Sequence, residues 1–152
     1  MNDIKINIPV PLDEDGFLEM ECDYCKNRFM LPVNVYEDDK NINFFCPICG
    51  LANRINTFFV PEVLELAQQK ALNYALAELE QEFSKSFKQI NKSGFIKMSM
   101  KKPHKVPERE LYEPTAVYVR CFESCCNLEL KVNNFDKETG IYCPVCGRIG
   151  CD

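Results

Sequence analysis

Histidine is almost absent from this chain of 152 residues: His104 stands alone, in a basic stretch between Pro103 and Pro107. Such a residue is expected to be exposed rather than catalytic. Glycine is sparse, with 6 in all, and no phosphate-binding glycine loop or nucleophile motif occurs. No apolar run approaches the roughly 20 residues that cross a bilayer. The opening residues Met1-Asn2-Asp3-Ile4-Lys5 lack the basic n-region and apolar core of a secretory leader. The expected compartment is therefore a reducing cytosol, where paired cysteines bind metal more often than they oxidise.

Basic charge is also scarce outside one segment. Residues 1–83 carry 6 basic and 15 acidic side chains, a net of −9, and residues 111–152 carry 4 and 6, a net of −2. Residues 84–110 reverse the sign with 8 basic and 2 acidic, a net of +6. General adhesion to nucleic acid depends on neutralising phosphates and does not suit the acidic ends. Only the middle could contribute, through Lys97, Lys101, Lys102 and Lys105, with Lys85, Lys88, Lys92 and Arg109 beside them.

Cysteine is what the chain has in excess, with 10 gathered towards its two ends. Phe45-Cys46-Pro47-Ile48-Cys49-Gly50 and Tyr142-Cys143-Pro144-Val145-Cys146-Gly147 state one motif twice. Two cysteines three apart in a tight turn aim both sulfurs at one point. Proline fixes φ inside the turn, and glycine supplies the positive φ that lets the chain leave. Each such knuckle is half of a tetrahedral metal site and needs a second pair upstream.

Cys22 and Cys25 precede the first, giving Cys-x2-Cys-x20-Cys-x2-Cys, the spacing of a structural four-thiolate zinc site. For the second the candidates are Cys121, Cys125 and Cys126, of which two are needed, and the reading adopted is Cys121 with one of the vicinal pair. Leu128, Leu130 and Val132 lie an even number of residues after Cys126, as Phe29, Leu31 and Val33 do after Cys25. That parity favours Cys126, whereas Cys121-x3-Cys125 is nearer the common knuckle length. Cys151 is a spare thiol or a substitute ligand that ranks behind the others. Two Zn²⁺ per chain are expected, and such small modules often fold only with their ion.

Period-two alternation flanks both upstream cysteine groups, in Leu18/Met20 and Phe29/Leu31/Val33, and again in the β run 115–120 and Leu128/Leu130/Val132. Residues 54–60 read as a strand leaving the first knuckle, 95–100 as a further strand, and 133–140 as a turn. Ile4, Ile6 and Ile8 alternate before Pro9 and Pro11 interrupt. Between Pro61 and Gly94 lie about thirty residues of strong helix formers, roughly 45–50 Å of helix. Leu72, Leu76, Leu79, Phe83 and Phe87/Ile90 run down one stripe of it.

The fold class expected is α+β: two small zinc-ribbon β modules joined by a long central helix and a short strand. The divisions are 1–60 for an arm and first ribbon, 61–94 for the helix, 95–114 for the strand and basic linker, and 115–152 for the second ribbon. The quartets resemble zinc ribbons of the rubredoxin-like class, in which two knuckles at hairpin tips grip one ion. Pro9 to Phe17 is also similar to the opening of small uncharacterised bacterial zinc-ribbon proteins, which implies a bacterial origin and no activity. Ribbons of this class serve many functions, so fold alone does not assign one.

The expected function is a non-enzymatic adaptor whose ribbons and helix present a protein-binding surface. Tyr36, Phe58, Phe59 and Tyr112 are its candidate exposed aromatics, and the helix stripe is a candidate for self-association or partner contact. The alternatives are nucleic-acid binding through the 85–109 region and rubredoxin-like redox chemistry with iron. Four thiolates close a coordination shell, leaving no open position for hydrolytic zinc chemistry.

Overall fold

The computed structural model describes residues 4–92, 94, 97, 99 and 101–150. In chain order the elements are β1 (Phe17–Glu21), β2 (Arg28–Pro32), a single turn α1 (Val33–Tyr36), β3 (Asn43–Phe45), β4 (Ala52–Arg54), a 3₁₀ turn (Ile55–Phe58), α2 (Pro61–Lys92), β5 (Val119–Glu123), β6 (Leu128–Val132) and α3 (Asn134–Thr139). The α+β class read from the sequence is the class of the structure. The chain divides into two units, Pro9–Val63 with Leu111–Asp152, and Met1–Ile8 with Leu64–Glu110.

The first unit holds both ribbons, and they share a sheet. β1 and β2 form one antiparallel hairpin, β5 and β6 another, and β2 pairs with β6 at Met30 opposite Lys131, giving the order β1-β2-β6-β5. The alternation seen in the sequence explains the shared core. Leu18, Met20, Phe29, Leu31, Leu128, Leu130 and Val132 are all buried, and Phe44 and Phe58 join them. Each such side chain contributes on the order of 1.5–3 kcal/mol by leaving water.

Lys131 is buried on the sheet, 4.4 Å above the Phe17 ring, and donates to Asp13 and Asp15 at 2.5 and 2.6 Å. The Asp13–Gly16 turn is thereby tied to the second ribbon. Arg28 spans Glu21, Glu19 and Glu62, the last through two hydrogen bonds of 2.9 and 3.0 Å, and fixes the first turn of α2 to the sheet.

Several local readings change. The stretch 54–60 is not a continuous strand: it turns at Ile55–Phe58, because Phe58 swings into the core edge-on to Phe29, with ring centroids 5.9 Å apart. Residues 133–140 contain the short helix α3, capped by the Asn133 side chain accepting from the Asp136 N–H at 2.9 Å. The second β run begins at Val119 and continues through Cys121 to Glu123. Residues 4–8 form no regular element. Of the stretch 95–100, only Lys97 and Ser99 are described, so the strand read there lies outside the described residues, as does Cys151.

In the second unit, α2 carries an extended strap. Asn73 exchanges two hydrogen bonds with the Val106 backbone, donating to its C=O at 2.9 Å and accepting from its N–H at 2.7 Å. Gln69 accepts the Arg109 N–H at 2.6 Å, while Arg109 pairs with Glu65 and Lys70 with Glu108. Residues 106–109 thus run antiparallel to the helix, held by two amides one helical turn apart. Leu76 and Phe87 are half-buried, whereas Leu72, Leu79, Phe83 and Ile90 stay exposed. No helix of the described residues is long and apolar enough to cross a membrane.

Candidate metal centres

Two groups of four cysteine sulfurs converge, Cys22/Cys25/Cys46/Cys49 and Cys125/Cys126/Cys143/Cys146, each with all Sγ atoms within 4.8 Å of one another. In the first group β1 ends at Glu21 and delivers Cys22 into a turn closed by the Lys26 N–H on the Cys22 C=O at 2.9 Å. Lys26 takes a φ of 60° to complete that turn. Hairpin β3–β4 supplies the other pair: Cys46 N–H donates to Leu51 C=O and Gly50 N–H to Cys46 C=O, both at 2.9 Å. The N–H groups of Ile48 and Cys49 point at Cys46 Sγ, at 3.4 and 3.5 Å.

The second knuckle repeats this pattern. Cys143 N–H donates to Arg148 C=O at 2.7 Å and Gly147 N–H to Cys143 C=O at 2.8 Å. Gly50 and Gly147 share a φ of 72°, which is why the motif ends in glycine both times.

Sulfur spacing tests whether a metal fits. A tetrahedral ion with bonds of about 2.3 Å to sulfur separates its ligands by about 3.8 Å, whereas a disulfide would need about 2.05 Å. Cys22–Cys49 and Cys25–Cys46 lie 3.7 Å apart and Cys125–Cys146 3.5 Å, and none of the nine described cysteines is in a disulfide. Both groups have the spacing of tetrahedral four-thiolate metal sites.

The second quartet corrects one assignment. Both members of the vicinal pair take part, and Cys121 does not belong to the group. Cys121 lies in mid-strand, directly opposite Leu130, and packs on the core. The tip that carries sulfurs is the four-residue loop Ser124–Asn127 between Glu123 and Leu128, which begins three positions further on. The parity that favoured Cys126 over Cys125 does not separate them, because Asn127 turns with a φ of 48° between Cys126 and the strand; pairing across the hairpin, by contrast, places Cys121 opposite Leu130 on the core face.

The knuckles also lock together. Phe45 N–H donates to Pro144 C=O and Tyr142 N–H to Pro47 C=O, each at 2.8 Å. A Cβ on Gly50 would sit 2.9 Å from the Tyr142 ring, and one on Gly147 2.8 Å from the Phe45 ring. The aromatic that opens each motif therefore packs on the glycine that closes the other.

Electrostatics within the groups reflects crowded thiols. Burial, reinforced by the neighbouring Cys22 and Cys25 thiols, pushes Cys46 well above its ordinary value; burial likewise carries Cys126 and Cys143 to about 11. Burial opposes ionisation of Cys22 too, but the Cys25 and Tyr24 N–H groups outweigh it and lower that thiol. Cys146, donated to by the Arg148 N–H, falls to about 7. Several protons must leave when a cation binds, so affinity rises with pH.

No protein-family model, no curated protein and no solved structure matches this chain. The zinc-ribbon likeness rests on the two cysteine groups.

The other site residues read from the sequence are not members of either sulfur group. Lys97, Lys101, Lys102 and Lys105 are exposed in the helix-and-strap unit. Of the aromatic candidates only Tyr112 is largely exposed, at 75%; Phe58 is core, and Tyr36 packs edge-on against Phe59 at 5.5 Å.

Proposed function

We propose that the protein is a non-enzymatic adaptor, held together by two structural zinc ions and binding a protein partner or a second copy through α2. Zinc is the ion favoured by closed four-thiolate shells of this size, and its role here is to fix the knuckles rather than to activate water. The observation that carries the reading is the stripe on α2. Leu72, Leu79, Phe83 and Ile90 are 40–53% exposed along a helix of 32 residues, and the strap is hydrogen-bonded to that helix at Gln69 and Asn73. Contiguous apolar surface of this kind marks an interaction site more often than a solvated face.

Light scattering of the purified protein, with and without Leu79→Glu and Phe83→Glu, tests the reading. Retained metal with loss of self-association or of a captured partner supports it. Variants that lose metal or aggregate would assign the stripe to internal packing instead.

A second reading, nucleic-acid binding, is supported by the exposure of Lys101, Lys102 and Lys105 beside exposed Lys85, Lys88 and Lys92. It ranks second because Lys70, Lys85 and Arg109 are engaged by Glu108, Glu82 and Glu65. Single-stranded and duplex oligonucleotides at 50 mM salt or so, followed by a salt titration, would separate it from the first.

A further inference from the structure

We propose that the two metal centres differ in permanence: the first is fixed, and the second releases its ion to a peroxide through Cys125 and Cys146. The inference rests on the zinc reading above and adds a difference between the sites that their near-identical knuckles conceal.

Two independent features separate them. In the first centre Cys22 and Cys46 are fully buried and belong to the hydrophobic core, so opening that site exposes the core itself. In the second, Cys125 is exposed and only Cys143 is fully buried. The second feature is attachment. Cys125 and Cys126 sit on the four-residue loop between Glu123 and Leu128, and the ladder of β5 and β6 is complete up to those two residues. That loop can move without breaking the sheet. The knuckle opposite it is held separately, by Tyr142 N–H on Pro47 C=O, Phe45 N–H on Pro144 C=O and the packing of Phe45 over Gly147. Losing the second ion therefore leaves both halves of its site in place.

Oxidation of thiolates follows their accessibility. Cys125 and Cys146 lie 3.5 Å apart, and a closure of about 1.5 Å brings them to bonding distance. A peroxide attacked by one thiolate gives a sulfenic acid, and the other thiolate displaces its oxygen to form the Cys125–Cys146 disulfide. The two sulfurs lose two electrons, the O–O bond accepts them, and two protons from solvent complete an alcohol and water, or two waters from hydrogen peroxide. Cys126 and Cys143 would then be the two thiolates remaining to a bound Zn²⁺, too few to retain it. A dithiol reductant and added zinc reverse the sequence.

The test uses the purified full chain, its metal content measured first, treated with stoichiometric hydrogen peroxide in the presence of a chromogenic chelator. One of two zinc ions should appear at least about ten times faster than the other. Peptide mapping should find Cys125 joined to Cys146 and the first quartet still reduced, with circular dichroism unchanged. Simultaneous loss of both ions, or a first disulfide within Cys22, Cys25, Cys46 and Cys49, would overturn the proposal. Cys121→Ser should keep the fast phase, and its disappearance there would also overturn it. Cys125→Ser should lack the fast phase; if that variant does not fold, the mapping of the unaltered chain decides. Iron, or no metal, in the protein as purified would refute the zinc reading itself, an outcome distinct from two zinc ions that leave together.

Discussion

Replacing Gly147 or Gly50 by alanine should destabilise the ribbon unit by about 2–5 kcal/mol. Two terms enter. Both glycines hold a φ of 72°, a left-handed conformation that costs an L-residue roughly 1–2 kcal/mol. The added methyl would also stand 2.8 Å from the Phe45 ring at Gly147, or 2.9 Å from the Tyr142 ring at Gly50, and relieving such overlap in a packed site typically costs about 1–3 kcal/mol more. Gly16 separates the terms: its φ is 82°, but nothing lies within 4 Å of the position a Cβ would take. Gly16→Ala should therefore lose only the backbone part, about 1–2 kcal/mol.

Urea unfolding at a fixed, buffered free-zinc concentration is the assay, because a bound ion otherwise shifts apparent stability with its own activity. For a unit of about 100 residues the larger losses lower the melting temperature by on the order of 10 °C or more. Pairing Gly147→Ala with Phe45→Ala should give a smaller loss than the sum of the two single changes, since the truncated ring leaves room for the methyl. Equal losses at Gly16 and Gly147, or strict additivity of the pair, would refute the interlock as an energetic contact.

Elemental analysis should find two metal ions per chain and a colourless solution; red protein with iron would revive the redox alternative. Cys121→Ser should keep both ions, while Cys46→Ser should unfold the first ribbon, since structural zinc supplies on the order of 10 kcal/mol of folding free energy. Asn73→Ala removes both hydrogen bonds to Val106 and should raise amide hydrogen exchange across residues 105–109 at unchanged metal content; unchanged exchange would mean that Arg109 and Glu108 hold the strap without it.

Much of this was legible because it is local. The Cys22/Cys25/Cys46/Cys49 set, the hairpins and the helix from Pro61 follow from spacing, period two and capping. The vicinal pair was harder, because the Cys121-x3-Cys125 spacing resembles a knuckle while hairpin register decides which sulfurs reach the tip. Cys121 opposite Leu130 is a strand position, and that follows only once Glu123 and Leu128 are known to close the loop. The meeting of Met30 with Lys131 brings together residues far apart in sequence and has no local signature. Gln69 and Asn73, one helical turn apart on α2, were a faint signal for the strap, and Asn133 with Asp136 a clearer one for the capped turn of α3.

The exchange of hydrogen bonds between Phe45, Pro47, Tyr142 and Pro144 also sets an order of events during synthesis. Pro144 is made roughly 100 residues after Pro47, which at 5–20 residues per second is about 5–20 s later. Throughout that interval the nascent first ribbon presents the side of β2 that will receive β6 as an open strand edge, and a Phe45 amide still without its Pro144 partner. Metal capture by Cys22, Cys25, Cys46 and Cys49 can precede the arrival of the second ribbon, since all four ligands are already made. The ribosome therefore delivers a half-finished sheet whose remaining edge is reserved for a later segment of its own chain, and slow or interrupted translation beyond α2 would leave that edge open to neighbouring molecules.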